Sequence, residues 1–303
     1  MYDIIVIGGG PAGMTAALYA ARAGKSVLIL EKAAFGGQIA TAPRVENFPS
    51  VLEIAGAELA DKMFEQATGH GVEFDMGEAS VRKNVDGSFA VTTEYAEFSS
   101  KAVVISTGVS HKTLNLPSEQ KLAGKGVCYC AVCDGAFYKG QKVAVVGDGN
   151  SAAQYALYLA DICSEVQLLT LFDRLFCDKE LVDRIVASNK IVWTKNVSVT
   201  EVVGEQKVQG IAYKDSDGAI TYEDCNAVFV AIGQEPHNEN FRNLVQLDEK
   251  GYVVAGEDCA TTCPGVFAAG DCRTKKVRQC ATAVGDGAIA GFNAAMYVDK
   301  LNK

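Results

Sequence analysis

The sequence predicts an α/β protein built from two Rossmann-like, three-layer ββα domains, the second inserted into the first. Three observations carry this. An apolar strand at residues 3–7 runs into a glycine turn at 8–13 and then a small-residue helix. The same succession of strand, glycine turn and helix recurs over residues 142–161. Beyond that second unit, a further motif ending in Gly270-Asp271 is placed to complete the first domain. One design occurring twice in a chain marks an internal repeat, and alternating strand and helix patterns mark parallel sheets.

In the first unit, residues 3–7 are a buried strand, Gly8 to Gly13 a tight turn, and 11–23 a helix stopped by Gly24; residues 26–31 supply the next strand. Gly8, Gly10 and Gly13 form G-x-G-x-x-G, and Glu31 stands 23 residues after Gly8. That is near the offset at which a carboxylate takes a ribose hydroxyl. Glycines admit a pyrophosphate close to the backbone and a helix N-terminus stabilises its charge, so the pattern predicts a dinucleotide site. Residues 35–38 and 45–49 read as loop, 56–70 as helix, 72–98 as a run of hairpin strands, and 102–108 as a buried strand ending at Thr107-Gly108.

After residues 114–117 the chain leaves this domain. Residues 142–146, 147–152, 152–161 and 165–172 repeat the strand, turn, helix and strand. A helix at 181–188 follows, then a meander over 197–203, 208–214 and 221–222, and a closing strand at 227–233. From about Phe241 the chain returns through 251–254 and 265–271 to a last helix over 281–297. The expected domains are thus 1–115 with 243–303, and 116–242, with short crossovers that could serve as hinges.

Lys and Arg number 28 against 37 Asp and Glu, for a net charge of −9, which excludes nonspecific attraction to nucleic acid or an anionic membrane. The strand at residues 3–7 is read as leaving no room for a signal peptide. No apolar run nears the ~20 residues that span a bilayer. With 303 residues the chain is too long and too rich in regular elements for a secreted disulfide scaffold, despite its ten cysteines, so the expected compartment is the reducing cytoplasm.

Cys130-x-x-Cys133, followed by Asp134, is the chemical centre. Two thiols at that spacing close and reopen a small ring as two electrons leave or arrive. Cys128 adds a third sulfur nearby, but no second C-x-x-C or histidine pair follows at ligand spacing, so no metal site is expected. Cys259, Cys263, Cys272 and Cys280 are read as packing rather than as cluster ligands. His70, His111 and His237 are the only histidines, and none stands at a catalytic spacing.

Gly8–Gly13, Gly36-Gly37-Gln38, Glu46-Asn47-Phe48-Pro49, Cys130-Ala131-Val132-Cys133-Asp134, residues 147–152, Gly270-Asp271 and Arg278-Gln279 lie in an order and spacing that resembles the low-molecular-weight thioredoxin reductases over essentially the whole chain. The resemblance implies an FAD domain in two segments, a dithiol-bearing central domain and a homodimer. It implies that FAD is held by Gly8, Gly10, Pro11, Ala12, Glu31, Lys32, Gly37, Gln38, Asn47, Thr107, Gly108, Gly270, Asp271, Arg278, Gln279 and Ala283. It further implies that Cys133 exchanges electrons with the flavin, that Cys130 attacks thioredoxin, and that Asp134 handles the protons.

The second glycine turn departs from that family. NADPH-using relatives place a His-Arg-Arg run and a further Arg after the second strand of the central domain; here those places hold Thr170, Leu171, Phe172 and Phe176, with Arg174 in an unmatched slot. Asp148 replaces the second-position glycine. Charge-assisted bonds of about 1.5–3 kcal/mol each are lost with the arginines, which amounts to orders of magnitude in affinity. The chain is therefore most similar to the ferredoxin-dependent flavin thioredoxin reductases, and reduced ferredoxin is the expected donor. The alternatives are an NAD(P)H-linked thioredoxin reductase with an atypical cofactor site, a flavin dithiol oxidase, and an FAD-binding redox sensor.

Overall fold

The computed structural model describes residues 1–301, and the chain divides into two compact units. Unit one is Met1–Ser110 with the chain from Glu235 onward, and unit two is His111–Gln234. The crossings lie five and eight residues earlier than the expected 115/116 and 242/243 boundaries. Neither is marked by a composition shift that a reader of the sequence could use.

In chain order, unit one opens with β1 (Tyr2–Ile7), α1 (Pro11–Arg22), β2 (Val27–Glu31), α2 (Gly56–Thr68), β3 (Glu73–Met76), β4 (Ser80–Lys83), β5 (Phe89–Thr92) and β6 (Glu97–Ile105). The crossing strand β7 (Val109–His111) leads to α3 (Pro117–Leu122), β8 (Val127–Cys128), α4 (Ala131–Asp134), β9 (Lys142–Val146), α5 (Asn150–Ile162), β10 (Glu165–Leu169), α6 (Lys179–Ala187) and β11 (Ile191–Thr194). Then come β12 (Ser198–Val203), β13 (Gly210–Lys214), β14 (Ile220–Asp224) and β15 (Ala227–Val230); β16 (Gln234–Pro236) crosses back to β17 (Val266–Ala268) and α7 (Cys280–Leu301).

The described residues of unit one form a seven-stranded sheet in the order β3-β2-β1-β6-β5-β4, with β17 also on β6. β1 lies between β2 and β6, parallel to both, with Ile7 opposite Leu30 on one side and Ile105 on the other. A strand covered on both faces reads as a continuous apolar run, and Ile4 to Ile7 are all buried. Ile4, Val6, Ile29 and Val104 face α1 and α7, against Met14, Ala16, Ala290 and Ala294. Ile5, Ile7, Leu28 and Val103 face the other way, against Phe89 and Phe241. The small residues of α1 and α7 allow the helices to meet at backbone distance: a Cβ on Gly291 would stand 2.9 Å from Ala16 Cα.

Unit two has a parallel five-stranded sheet, β11-β10-β9-β15-β8, and an antiparallel sheet, β12-β13-β14. Ala152, Ala153, Ala156 and Leu159 of α5 cover one face of the parallel sheet. Val202, Ile211 and Tyr213 of the meander cover Val146, Leu169 and Val230 on the other. Both units are thus three-layered, as the repeat predicts.

Several local expectations need correction. The segment 72–98 is not a pure run of hairpins, because β3 joins β2 in parallel and only β4, β5 and the start of β6 are antiparallel. β6 is one strand from Glu97 to Ile105; its first half pairs with β5 and its last three residues with β17. β10 stops at Leu169 rather than Phe172, since the Thr170 hydroxyl donates to the Phe172 carbonyl at 2.8 Å and turns the chain.

The α1–α7 contact gives a direct test. Gly291→Val, which forces a branched side chain into Ala16, is expected to lower unfolding free energy by about 1–3 kcal/mol in thermal denaturation. Gly285→Ala, whose Cβ meets nothing within 4 Å, is expected to leave it unchanged or raised.

Candidate functional site

In unit one the turn between β1 and α1 brings together most of the residues expected at a dinucleotide site. Gly8, at φ +106, has no room for a Cβ, which would enter the Ser106 carbonyl, and Pro11 sits at the first position of α1. A Cβ on Gly10 would meet nothing within 4 Å, so open space lies before the unpaired amides at the start of α1. Glu31, at the end of β2, accepts the Gly9 amide on Oε2 at 2.7 Å and the Ala33 amide on Oε1 at 2.9 Å. Lys32 lies 3.8 Å from Glu78. Gly8, Glu31, Lys32, Thr107 and Phe241 line a small open cleft of about 50 Å³.

Gly37 and Gln38 begin a short 3₁₀ turn, and the Gln38 amide donates to the Val109 carbonyl. Asn47 Nδ2 donates to Gln279 Oε1 at 3.2 Å. The Thr107 hydroxyl donates to Asn238 Oδ1 at 2.9 Å, next to Gly108 at φ +67. Gly270 comes close to Ala12 and Ala283, where any side chain would intrude. Arg278 Nε donates to the Asp271 carbonyl at 3.2 Å, and its guanidinium lies over Tyr252.

Asp271 Oδ1 is shut off from solvent and has no hydrogen-bond partner among the described residues. Burial pushes its carboxyl up to about 6, with the charges of Lys275 and Arg278 pulling the other way. A buried acceptor without a donor is costly unless a ligand supplies one. This acceptor, the open helix start and the strand-end carboxylate fit a cofactor that carries hydroxyls and a pyrophosphate.

In unit two, β8 delivers Cys128, and the following turn carries the dithiol. Cys130 and Cys133 form a disulfide, with Cα atoms 5.3 Å apart. The Cys133 amide donates to Cys130 Sγ at 3.2 Å, so the first sulfur caps the single turn α4. Burial pushes the Asp134 carboxyl up to about 6, tempered by a hydrogen bond from the Cys128 thiol. Cys128 is buried, and its own thiol is pushed up by burial and by Asp134. Among the described residues no cluster of His, Cys, Asp and Glu could hold a metal ion.

Beside the dithiol lies a group that the sequence reading missed. The Tyr129 hydroxyl donates to Glu119 Oε1 at 3.0 Å, and His111 stacks on Tyr129 with ring centres 5.1 Å apart. Glu119 is 0% exposed and its Oε2 has no partner among the described residues. In the sequence Glu119 follows Pro117 by two residues and reads as a solvated acid in the first turn of a helix; nothing local announces its burial.

At the second glycine turn, Thr170 is 0% exposed; its hydroxyl is used on the Phe172 carbonyl and accepts the Trp193 indole N–H at 3.0 Å. Phe172 and Phe176 are exposed and meet edge to face, with centroids 5.2 Å apart. Arg174 stacks on Phe176 at 5.0 Å.

Comparison with known proteins places this geometry. A family model described as pyridine nucleotide-disulphide oxidoreductase matches residues 2–287. A thioredoxin reductase of Listeria monocytogenes is 40% identical over 307 aligned positions, covering 100% of this chain and 96% of that one. A 34.2 kDa protein in the rubredoxin operon of Clostridium pasteurianum is 39% identical over 300, covering 98% and 97%. The crystal structure of thioredoxin reductase from Streptococcus pyogenes matches with a TM-score of 0.95 at 39% identity, covering 99% of each chain. With a solvent-shielded acceptor that has no partner among the described residues in one unit and a closed C-x-x-C disulfide in the other, the chain belongs to the low-molecular-weight thioredoxin reductases of the pyridine nucleotide-disulphide oxidoreductase family, FAD-binding flavoproteins that reduce disulfides.

Proposed function

We propose that this flavoprotein reduces thioredoxin through Cys130 and Cys133 and draws its electrons from reduced ferredoxin rather than from a pyridine nucleotide. The observation that carries the donor assignment is the second glycine turn. Thr170 is buried with its hydroxyl used internally, exposed Phe172 and Phe176 stand where a 2′-phosphate needs cations, and Arg174 lies on a ring. The names of the relatives, and the glycine turn that unit two retains, favour a second reading, an NAD(P)H-linked thioredoxin reductase.

In this reading Gly8, Gly10, Pro11 and Ala12 would hold the FAD pyrophosphate at the start of α1, and Glu31 and Lys32 would take the adenosine ribose. Gly37, Gln38, Asn47, Thr107, Gly108, Gly270, Arg278, Gln279 and Ala283 would line the rest, and Asp271 Oδ1 would accept a hydrogen bond from a hydroxyl of the cofactor. FAD supplies the exchange between single electrons and electron pairs.

The protein's own groups then act in sequence. Two electrons and two protons open the Cys130–Cys133 disulfide to two thiols. Cys130 is the attacking sulfur, because the Cys133 amide aimed at Sγ stabilises its thiolate. Cys130 passes its proton to the Asp134 carboxylate and attacks the thioredoxin disulfide, forming a mixed disulfide and expelling one thioredoxin thiolate, which takes that proton from Asp134. Cys133 next displaces the second thioredoxin sulfur, its own proton passing to that leaving thiolate, and restores the ring. An apolar stripe on α7, Ile289, Phe292 and Met296, is exposed and supports a homodimer. Eight cysteines outside the dithiol remain thiols, which supports a reducing cytoplasm.

Three results are expected. Micromolar NADPH or NADH leaves the flavin absorbance of the holoenzyme unchanged, whereas reduced ferredoxin bleaches it and supports thioredoxin reduction; rapid bleaching by either nucleotide would overturn the donor assignment. Cys133→Ser accumulates a mixed disulfide with thioredoxin on non-reducing gels, and Cys130→Ser does not. The third concerns stability. The folded-state pKa of Asp134 lies above its unfolded value, so the folded state binds the extra proton and stability falls as pH rises from about 4 to 6. Asp134→Asn should remove up to about 3 kcal/mol of that decline, read as the difference between the two unfolding curves.

A further inference from the structure

The two glycine turns of the chain can be compared residue for residue, and they differ in where a carboxylate stands. In unit one the carboxylate is at the strand end: Glu31 accepts the amide of Gly9 in the turn, and the Gly36 amide donates to the Gly9 carbonyl at 2.8 Å. Unit two keeps that second bond in kind, with the Phe176 amide donating to the Asp148 carbonyl at 2.6 Å. Its carboxylate, however, has changed sides. Thr170 takes the strand-end place, 23 residues after Gly147 as Glu31 is after Gly8, and the acid is now Asp148 in the turn.

Asp148 Oδ1 accepts the Phe172 amide at 3.1 Å, and the Leu171 amide also donates to this carboxylate. Asn150 Oδ1 accepts the Asp178 amide at 3.2 Å. The loop after β10 is therefore tied to the glycine turn through side chains as well as backbone. In a dinucleotide fold the ribose is read at the strand end and the pyrophosphate lies before the helix start, between those two segments. The residue type in the turn fits the arrangement found in each unit. Gly9 cannot carry a side chain, since a Cβ there would come within 2.6 Å of the Phe35 ring, whereas position 148 accepts one.

We propose that the Asp148 carboxylate is an internal anion standing in the nucleotide's place, so that unit two actively excludes pyridine nucleotides rather than merely lacking the residues to clamp them. It occupies the amides of Leu171 and Phe172 at the ribose end and sets a negative charge before the N-terminus of α5, where a pyrophosphate would have to lie. No substitution at Thr170 alone restores the site while that charge remains. This rests on the reading above that unit two takes no nucleotide, and it names the residue that determines donor specificity.

The test is a gain of binding, which an unfolded variant cannot mimic. FAD-loaded Asp148→Gly and Asp148→Asn, with flavin spectra and melting temperatures compared with the parent, are titrated calorimetrically with NADH, which needs no 2′-phosphate clamp, and with NADPH. Asp148→Gly removes the group, and Asp148→Asn removes its charge at constant shape. At least a tenfold rise in NADH affinity over the parent is expected in one or both. If both variants keep the parent's spectrum and melting temperature and neither gains affinity, the proposal is overturned and the ferredoxin assignment stands. If the parent itself binds NADH or NADPH at micromolar concentration, both fall.

Discussion

Both units depend on a strand that passes its chain to a helix while touching its neighbour's backbone. Gly8 lies against the Ser106 carbonyl, and Gly147, at φ +147, lies against the Ala231 carbonyl in the same manner. Any side chain at either place would enter that oxygen and part the first strand from the strand beside it. The close approach keeps β1 on β6 and β9 on β15, and it brings the start of α1 or α5 to the edge of the sheet, where its free amides can meet an anion. The Gly8 turn leaves those amides open, and the Gly147 turn is tied by a side chain of its own. One local constraint thus serves two ends.

Two half-buried carboxyls stand out. Asp271 and Asp134 are each pushed up to about 6 by burial, but their surroundings differ. Asp271 has an oxygen with no hydrogen-bond partner among the described residues, whereas Asp134 sits among Cys128, Tyr138 and Tyr155. A carboxyl that holds its proton close to neutrality can deliver it to a departing thiolate, which an ordinary exposed aspartate, ionised at that pH, cannot do. Asp286 plays a structural part: it binds Arg273 through both oxygens, Lys275 at 2.8 Å and the Gly270 amide at 3.0 Å, which fixes the segment carrying Asp271.

The architecture could be read from the sequence because it rests on short-range patterns. The apolar runs at β1 and β9, the two glycine turns and the C-x-x-C are each set by residues within a few positions of one another, and each stands where it was expected. The edges of elements were less legible. β10 ends early through a hydroxyl-to-carbonyl bond at Thr170, and β3 turns out parallel because its partner β2 is far away in the chain. Glu119, Asn238 and Asp286 were invisible for the same reason: their partners lie 10, 131 and 13 residues away, and nothing in their neighbours says that they are buried. The substitutions at Thr170, Leu171, Phe172 and Phe176 could be seen in the sequence, but that Asp148 bonds to their backbone could not.

The function requires that one flavin and one disulfide in the same chain share electrons. Anaerobic titration of the FAD-loaded protein with dithionite, followed by flavin absorbance and by counting the thiols released, tests this directly. The prediction is an uptake of about four electrons per chain, two for each centre, with two new thiols, falling to about two electrons in Cys130→Ser. Full flavin bleaching at two electrons with no thiol released would contradict it.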